Sequence, residues 1–160
     1  TEYISTRWYR APECLMTDGH YGYKMDIWGV GCVFFEVLSL FPLFPGDNEL
    51  DQIHKIHNIL GTPPQEMLDN FQKNATHMKL DFKPQPFVGI ANLIPNVSPE
   101  AQEIILKMLI YNADQRYTAS QLLRHNFFKE LRDYEMAQFT AGPSGFARSI
   151  SRSNLAENLS

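Results

Sequence analysis

The run from Thr1 to Glu13 concentrates the groups whose types and spacing could do chemistry. Thr1 and Tyr3 offer two hydroxyls, and Arg7 and Arg10 follow within reach on the same loop. A phosphoryl group on either hydroxyl adds about −1.5 to −2 charges and three acceptor oxygens. A guanidinium fork suits bidentate capture of such a group. A lone Thr-x-Tyr would mean nothing; what counts is the run Arg7–Glu13 behind it.

Other candidates carry less. Gly29-Val30-Gly31 lacks the third glycine of a nucleotide-binding loop and follows no predicted strand, so it reads as close helix packing. His54 and His57 lie at i, i+3 on one predicted helix, but no third ligand is evident and a solvated face is the reading. Cys14 and Cys32 have neither C-x-x-C spacing nor a histidine at finger spacing, which argues for reduced thiols over a disulfide framework or a zinc site. Asn74-Ala75-Thr76 is a formal glycosylation acceptor, irrelevant in a reduced chain. Arg148-Ser149-Ile150-Ser151 and Arg152-Ser153 read as solvated linker, although they look like basic-directed phosphosites.

The elements that position these groups are helical. Residues 1–24 are broken by Pro12, Gly19 and Gly22 and read as loop, with one short helical turn over Glu13–Met16. From Lys24 to about Leu40 the sequence is nearly all apolar, which predicts a helix buried on most sides. Phe41–Gly46 is loop, and a helix follows with Asp47 or Asn48 as N-cap and Leu50, Ile53, Ile56 and Leu60 as its stripe. A short helix is predicted near Gln65–Phe71. Ser98-Pro99-Glu100 starts another, with Ala101, Ile105, Met108 and Leu109 on one face. Thr118-x-x-Gln121 matches a capping box ahead of Leu122 and Leu123. No segment alternates with period 2, so the ordered part reads as all-helical. The scattered Met and Phe residues are assigned to the core.

Composition sets outer bounds. The chain has 160 residues, 44% hydrophobic and 20% charged, with formal net charge −4. That balance suits a globular domain and argues against nucleic acid or an anionic membrane as the main partner. The longest apolar run, Ile27–Phe35, is too short to span a bilayer and holds two glycines. The chain opens on Thr1 rather than Met and carries no leader-like segment, so it reads as a piece of a longer protein. Residues 131–160 read as a flexible tail, given the serines and glycines gathered near the end.

Arg7-Trp8-Tyr9-Arg10-Ala11-Pro12-Glu13, with Thr1-Glu2-Tyr3 upstream, resembles the end of a protein-kinase activation segment. Asp26-Ile27-Trp28-Gly29-Val30-Gly31-Cys32 is similar to the family's central large-lobe helix. Pro42–Gly46, Leu50–Ile53 and Leu60–Pro63 resemble the insert of the mitogen-activated and cyclin-dependent kinase group, and Asp114–Ala119 with His125–Phe128 resemble its last two helices. These blocks stand in the family's order over residues 1–130. Within the group the run Thr1–Arg7, with Glu13-Cys14-Leu15 and Asn48–Ile53, looks most like the MAPK/MAK/MRK-overlapping (MOK) subfamily.

The resemblance implies a mainly α fold, the large helical C-terminal lobe of a kinase-like structure without its N-terminal lobe. It divides the chain into residues 1–24 (activation-segment end and substrate loop), 25–130 (lobe helices with insert) and 131–160 (tail). It makes Thr1 and Tyr3 regulatory phosphosites, phosphorylated by an upstream activating kinase or by the enzyme itself. It places Arg7 and Arg10 around phospho-Tyr3, with Trp8 and Tyr9 in the substrate-binding loop, and it implies a proline after the target residue. Thr6 matches the threonine that contacts the catalytic aspartate, and Asp26 the carboxylate that accepts catalytic-loop N–H bonds. Trp28 is structural, and Glu13 and Arg116 match a buried ion pair.

One departure is local. Asn112-Ala113 stands where the family has Asp-Pro, which predicts a looser turn with Arg116 retained. A larger one is that no Gly-rich loop, strand lysine, His-Arg-Asp or Asp-Phe-Gly occurs in the 160 residues. ATP and Mg²⁺ are therefore expected of the intact kinase only, and the chain alone should not transfer phosphate. The implied function is part of a Ser/Thr protein kinase acting on protein substrates. The alternative is a non-catalytic binding module that competes for partners. A cytoplasmic location follows from the reading, with the nucleus, cilium or flagellum as further sites that the resemblance implies.

Overall fold

A computed structural model describes residues 7–18, 22–76 and 78–141, and among them no strand occurs. Thr1, Tyr3 and Thr6 lie outside the described residues, as does residues 142–160 of the expected tail. The chain forms two compact units, Thr1–His125 and Asn126–Ser160.

The first unit begins with a 3₁₀ turn, Arg7–Tyr9, and a short helix α1 (Pro12–Met16), where Pro12 takes the first helical position with no loss of a needed donor. Helix α2 (Lys24–Ser39) follows and ends at Leu40, whose φ of 64° is left-handed; its N–H closes the helix on the Glu36 carbonyl at 2.8 Å. Helix α3 (Glu49–Leu60) is capped by Asn48, whose Oδ1 accepts the Asp51 N–H at 3.0 Å. It ends on Gly61, where φ is 77° and a side chain would meet the Phe87 backbone.

Helix α4 (Gln65–Gln72) opens an insert that runs as extended chain past Leu80. The insert is pinned back on α3: Val88 and Gly89 donate to the Ile59 carbonyl, and Thr62 exchanges bonds with Gln85. Helix α5 (Pro99–Met108) starts from the Ser98 cap. Helix α6 (Ala119–Leu123) starts from a capping box in which Thr118 and Gln121 each accept from the other's N–H.

The core gathers Leu15 and Met16 of α1, Trp28, Cys32 and Phe35 of α2, Phe44 of the loop that follows, Ile53 and Ile56 of α3, and Ile105 of α5. Gly31 lets α2 and α5 approach: a Cβ there would lie 2.8 Å from that of Met108. Of Gly29-Val30-Gly31, expected to pack closely, Gly31 does so, while Val30 is exposed.

Several expectations are corrected. Helix α2 is buried on one side only; Val30, Val33, Val37 and Leu40 are 53, 50, 65 and 89% exposed. An all-apolar composition does not record which face has a neighbour. Leu50 is half exposed and leaves the α3 stripe, while Gln52 and His57 join it. His57 is therefore no part of a solvated face, although His54 is exposed. Phe87, Met136 and Phe139 are surface residues.

The second unit holds a 3₁₀ turn, Asn126–Phe128, and helix α7 (Lys129–Ala141). The flexible tail expected from residue 131 is thus helical as far as Ala141. Its Glu, Leu, Arg, Met, Ala and Gln residues are good helix formers, and Lys129 pairs with Asp133 at i, i+4.

Candidate functional site

The site is the segment Arg7–Met16 and what holds it. Its C-terminal end is fixed by Arg116, which is 1% exposed. The guanidinium meets the Glu13 carboxylate in a two-pronged pair, Nη1 to Oε1 at 2.7 Å and Nη2 to Oε2 at 2.9 Å. Its remaining N–H groups donate to the carbonyls of Lys24 (2.7 Å), Ile110 (3.0 Å) and Tyr111 (3.4 Å). All five donors of the fork are used. The Lys24 ammonium donates in turn to the Arg116 carbonyl. Arg116 also lies over the Trp28 ring at 5.2 Å, and that ring stacks on Phe44.

The turn that delivers Arg116 is not loose. Asn112 Oδ1 accepts the Asp114 N–H at 2.9 Å, and the Asn112 carbonyl accepts from Gln115 and Arg116. The Asn112 side chain closes this turn on the Asp114 N–H.

The other end of the segment rests on α2 and α3. Tyr9 Oη donates to the Glu36 carboxylate at 2.7 Å, and that bond, with burial and the nearby negative charge, raises the phenol above its usual range. Trp8 Nε1 donates to the Gly46 carbonyl at 2.9 Å. The Trp8 carbonyl accepts from Gln52 Nε2 at 3.3 Å, while Gln52 Oε1 accepts the Gly46 N–H at 3.0 Å. Arg7 donates to the Asp47 carbonyl at 3.3 Å, and its Nε is buried without a hydrogen-bond partner. Arg10 stands 4.0 Å from Glu49, with both side chains about 40% exposed.

Among the described residues, Arg7, Trp8 and Arg10 therefore sit beside the N-terminus of α3, Tyr9 turns to Glu36 of α2, and Glu13 meets Arg116 on the buried side. Asp26 stands apart, exposed near the start of α2. Both cysteines are free, and burial pushes the Cys14 thiol up to about 11 and the Cys32 thiol to about 12. Neither suits a nucleophile at neutral pH.

The residues 1–128 match the family model described as the protein kinase domain. The chain belongs to the protein kinase family. It is 54% identical to the human MAPK/MAK/MRK overlapping kinase over 84% of its own length and 32% of the relative's. It is 41% identical to human serine/threonine-protein kinase MAK (81% of this chain, 21% of the relative) and 38% identical to zebrafish cyclin-dependent kinase 20 (78% and 36%). The chain spans about a third of the length of the curated relatives it matches, and it carries the helical large lobe of the kinase fold.

Two anchors of this kinase segment escaped the sequence reading. Gln52 is 0% exposed and Glu36 receives Tyr9. A signal for Gln52 existed: it falls with Ile53 and Ile56 on the apolar face of α3, where a glutamine needs buried partners. Glu36 gave none, because its partner lies across the fold. Among the described residues no helix is long and apolar enough to cross a membrane, and no three His, Cys, Asp or Glu side chains gather as a metal site.

Proposed function

We propose that this chain is the large-lobe part of an ATP-dependent Ser/Thr protein kinase of the MOK type. In the intact enzyme it would carry the Thr1 and Tyr3 phosphosites and position the protein substrate, with proline favoured after the target residue. ATP, Mg²⁺ and the catalytic aspartate would be held by residues outside these 160.

The observation that carries the reading is the contrast around Arg7–Met16: one end locked by Arg116, the other presenting two arginines with weak partners. An exposed ion pair such as Arg10–Glu49 contributes only about 0–1 kcal/mol. A phosphate on Tyr3, with about −1.5 to −2 charges, would take Arg10 from Glu49 and give the buried Arg7 Nε an acceptor. The segment would then be held at both ends. Thr6 would contact the catalytic aspartate, and Asp26 would accept N–H bonds from the catalytic loop.

The exposed stripe on α2 supports the same reading. Asp26, Val30, Val33 and Val37 follow spacings of four, three and four, the seam of a helix with a helical neighbour. We assign that neighbour to the part of a longer kinase domain that this chain does not include.

The test is Thr1→Ala with Tyr3→Phe in the full-length protein. Phosphotransfer should fall by about tenfold or more, by loss of the ordering contacts. Unchanged turnover would remove the switch assignment, and a full-length protein that transfers no phosphate under any condition would favour the binding module.

A further inference from the structure

One buried side chain of α3 reaches both Trp8 and the turn at Gly46. Gln52 has no exposed surface. Its amide spans the gap between two stretches distant in sequence: Oε1 takes the Gly46 N–H at 3.0 Å and Nε2 gives a proton to the Trp8 carbonyl at 3.3 Å. Trp8 completes a closed ring of bonds by donating from Nε1 to the Gly46 carbonyl at 2.9 Å. Gly46 is required for this ring. A Cβ there would lie 2.5 Å from Gln52 Cα and 2.6 Å from both its backbone nitrogen and its Oε1.

We propose that Gln52 is a positioning residue for substrate recognition: it holds the Trp8 backbone, and with it Arg7 and Arg10, at the height at which the residue after the phosphorylated Ser/Thr is read. It touches no reacting group. An amide is the side chain that serves here, since the gap asks for one acceptor and one donor at once, and a carboxylate or an ammonium supplies only one of them. Tyr9 on Glu36 ties the loop to α2 as well, and Trp8 Nε1 and Arg7 add bonds to the turn before α3. Loss of Gln52 would therefore tilt the loop about Tyr9 rather than release it, and the Glu13–Arg116 tie would stay closed.

The inference rests on the kinase reading above, and the experiment separates the two. The full-length protein, its Gln52→Met variant and its Gln52→Glu variant are assayed on two peptides that differ only in Pro or Ala after the target serine. Gln52→Glu retains the acceptor for Gly46 and loses the donor to Trp8. The expected result is a KM for the Pro peptide raised about 5–30-fold in both variants, the free-energy equivalent of one or two buried hydrogen bonds. The KM for ATP and kcat at saturating peptide should stay within about twofold, and the Pro-over-Ala preference should shrink. Equal changes in both KM values, an unchanged peptide KM in a folded variant, or loss of folding in both variants would overturn the proposal, since Gln52 would then support the fold without aiming the loop. A wild-type protein with no phosphotransfer would overturn the kinase reading itself and this inference with it.

Discussion

At its C-terminal end the segment Arg7–Met16 is fixed by a guanidinium whose five N–H groups all have partners inside the chain. At its N-terminal end the arginines have a backbone carbonyl at 3.3 Å and a half-exposed carboxylate at 4.0 Å. The same division runs through α2, where Trp28, Cys32 and Phe35 are buried while Val30, Val33 and Val37 are exposed. The comparison teaches that charge alone does not make an anchor. Arg116 holds because each polar atom left dry is satisfied; Arg10 stays available because its partner competes poorly with water.

The largest effect should come from breaking the closed side. Glu13→Ala leaves Arg116 as an uncompensated buried charge and should cost about 3–5 kcal/mol in urea denaturation. Arg10→Ala should cost less than about 1 kcal/mol in the same experiment. Comparable losses from the two would erase the distinction.

Acid should act next, through α3. Burial, with the neighbouring His54, lowers the His57 pKa to about 4, below its ordinary value of 6.5. The unfolded chain therefore takes up the proton first, and the stability contribution, complete above pH 6.5, is lost as pH falls toward 4. The loss should be on the order of 2–3 kcal/mol, read from denaturation midpoints between pH 7 and 4. His57→Leu should flatten that limb of the curve.

Packing gives a finer comparison. Gly31→Ala places a Cβ 2.8 Å from Met108 Cβ on the buried face of α2 and should cost about 1–3 kcal/mol. Val33→Lys, on the open face of the same helix, should change the stability of the 160-residue chain by no more than about 0.5 kcal/mol. In a full-length kinase, where we place a helix against that face, Val33→Lys should become the more damaging of the two.

How much of this was legible from the residues follows from the range of each interaction. Asn48, Ser98 and Thr118 announced their helices because a cap is a local device, complete within four residues. Glu13 and Arg116, far apart in the chain, were paired only through resemblance, since nothing near either one points to the other. His57 reads from sequence as part of a solvated face and Gln52 carries no assignment of its own, yet both lie on the buried face of α3. The exposed side of α2 was illegible for a different reason: an all-apolar composition does not record which of its valines have a neighbour among the described residues.

The central claim is that the open end of the segment is closed by phosphate. It is tested most directly by the phosphotransfer rate of the full-length protein to a Ser-Pro peptide, before and after removal of phosphate from Tyr3 by a tyrosine phosphatase. The rate should fall by at least about tenfold with the urea midpoint unchanged, because Arg7 and Arg10 lose their ligand while Glu13–Arg116 stays closed. An unchanged rate, with loss of the Tyr3 phosphate verified by mass spectrometry, would contradict it.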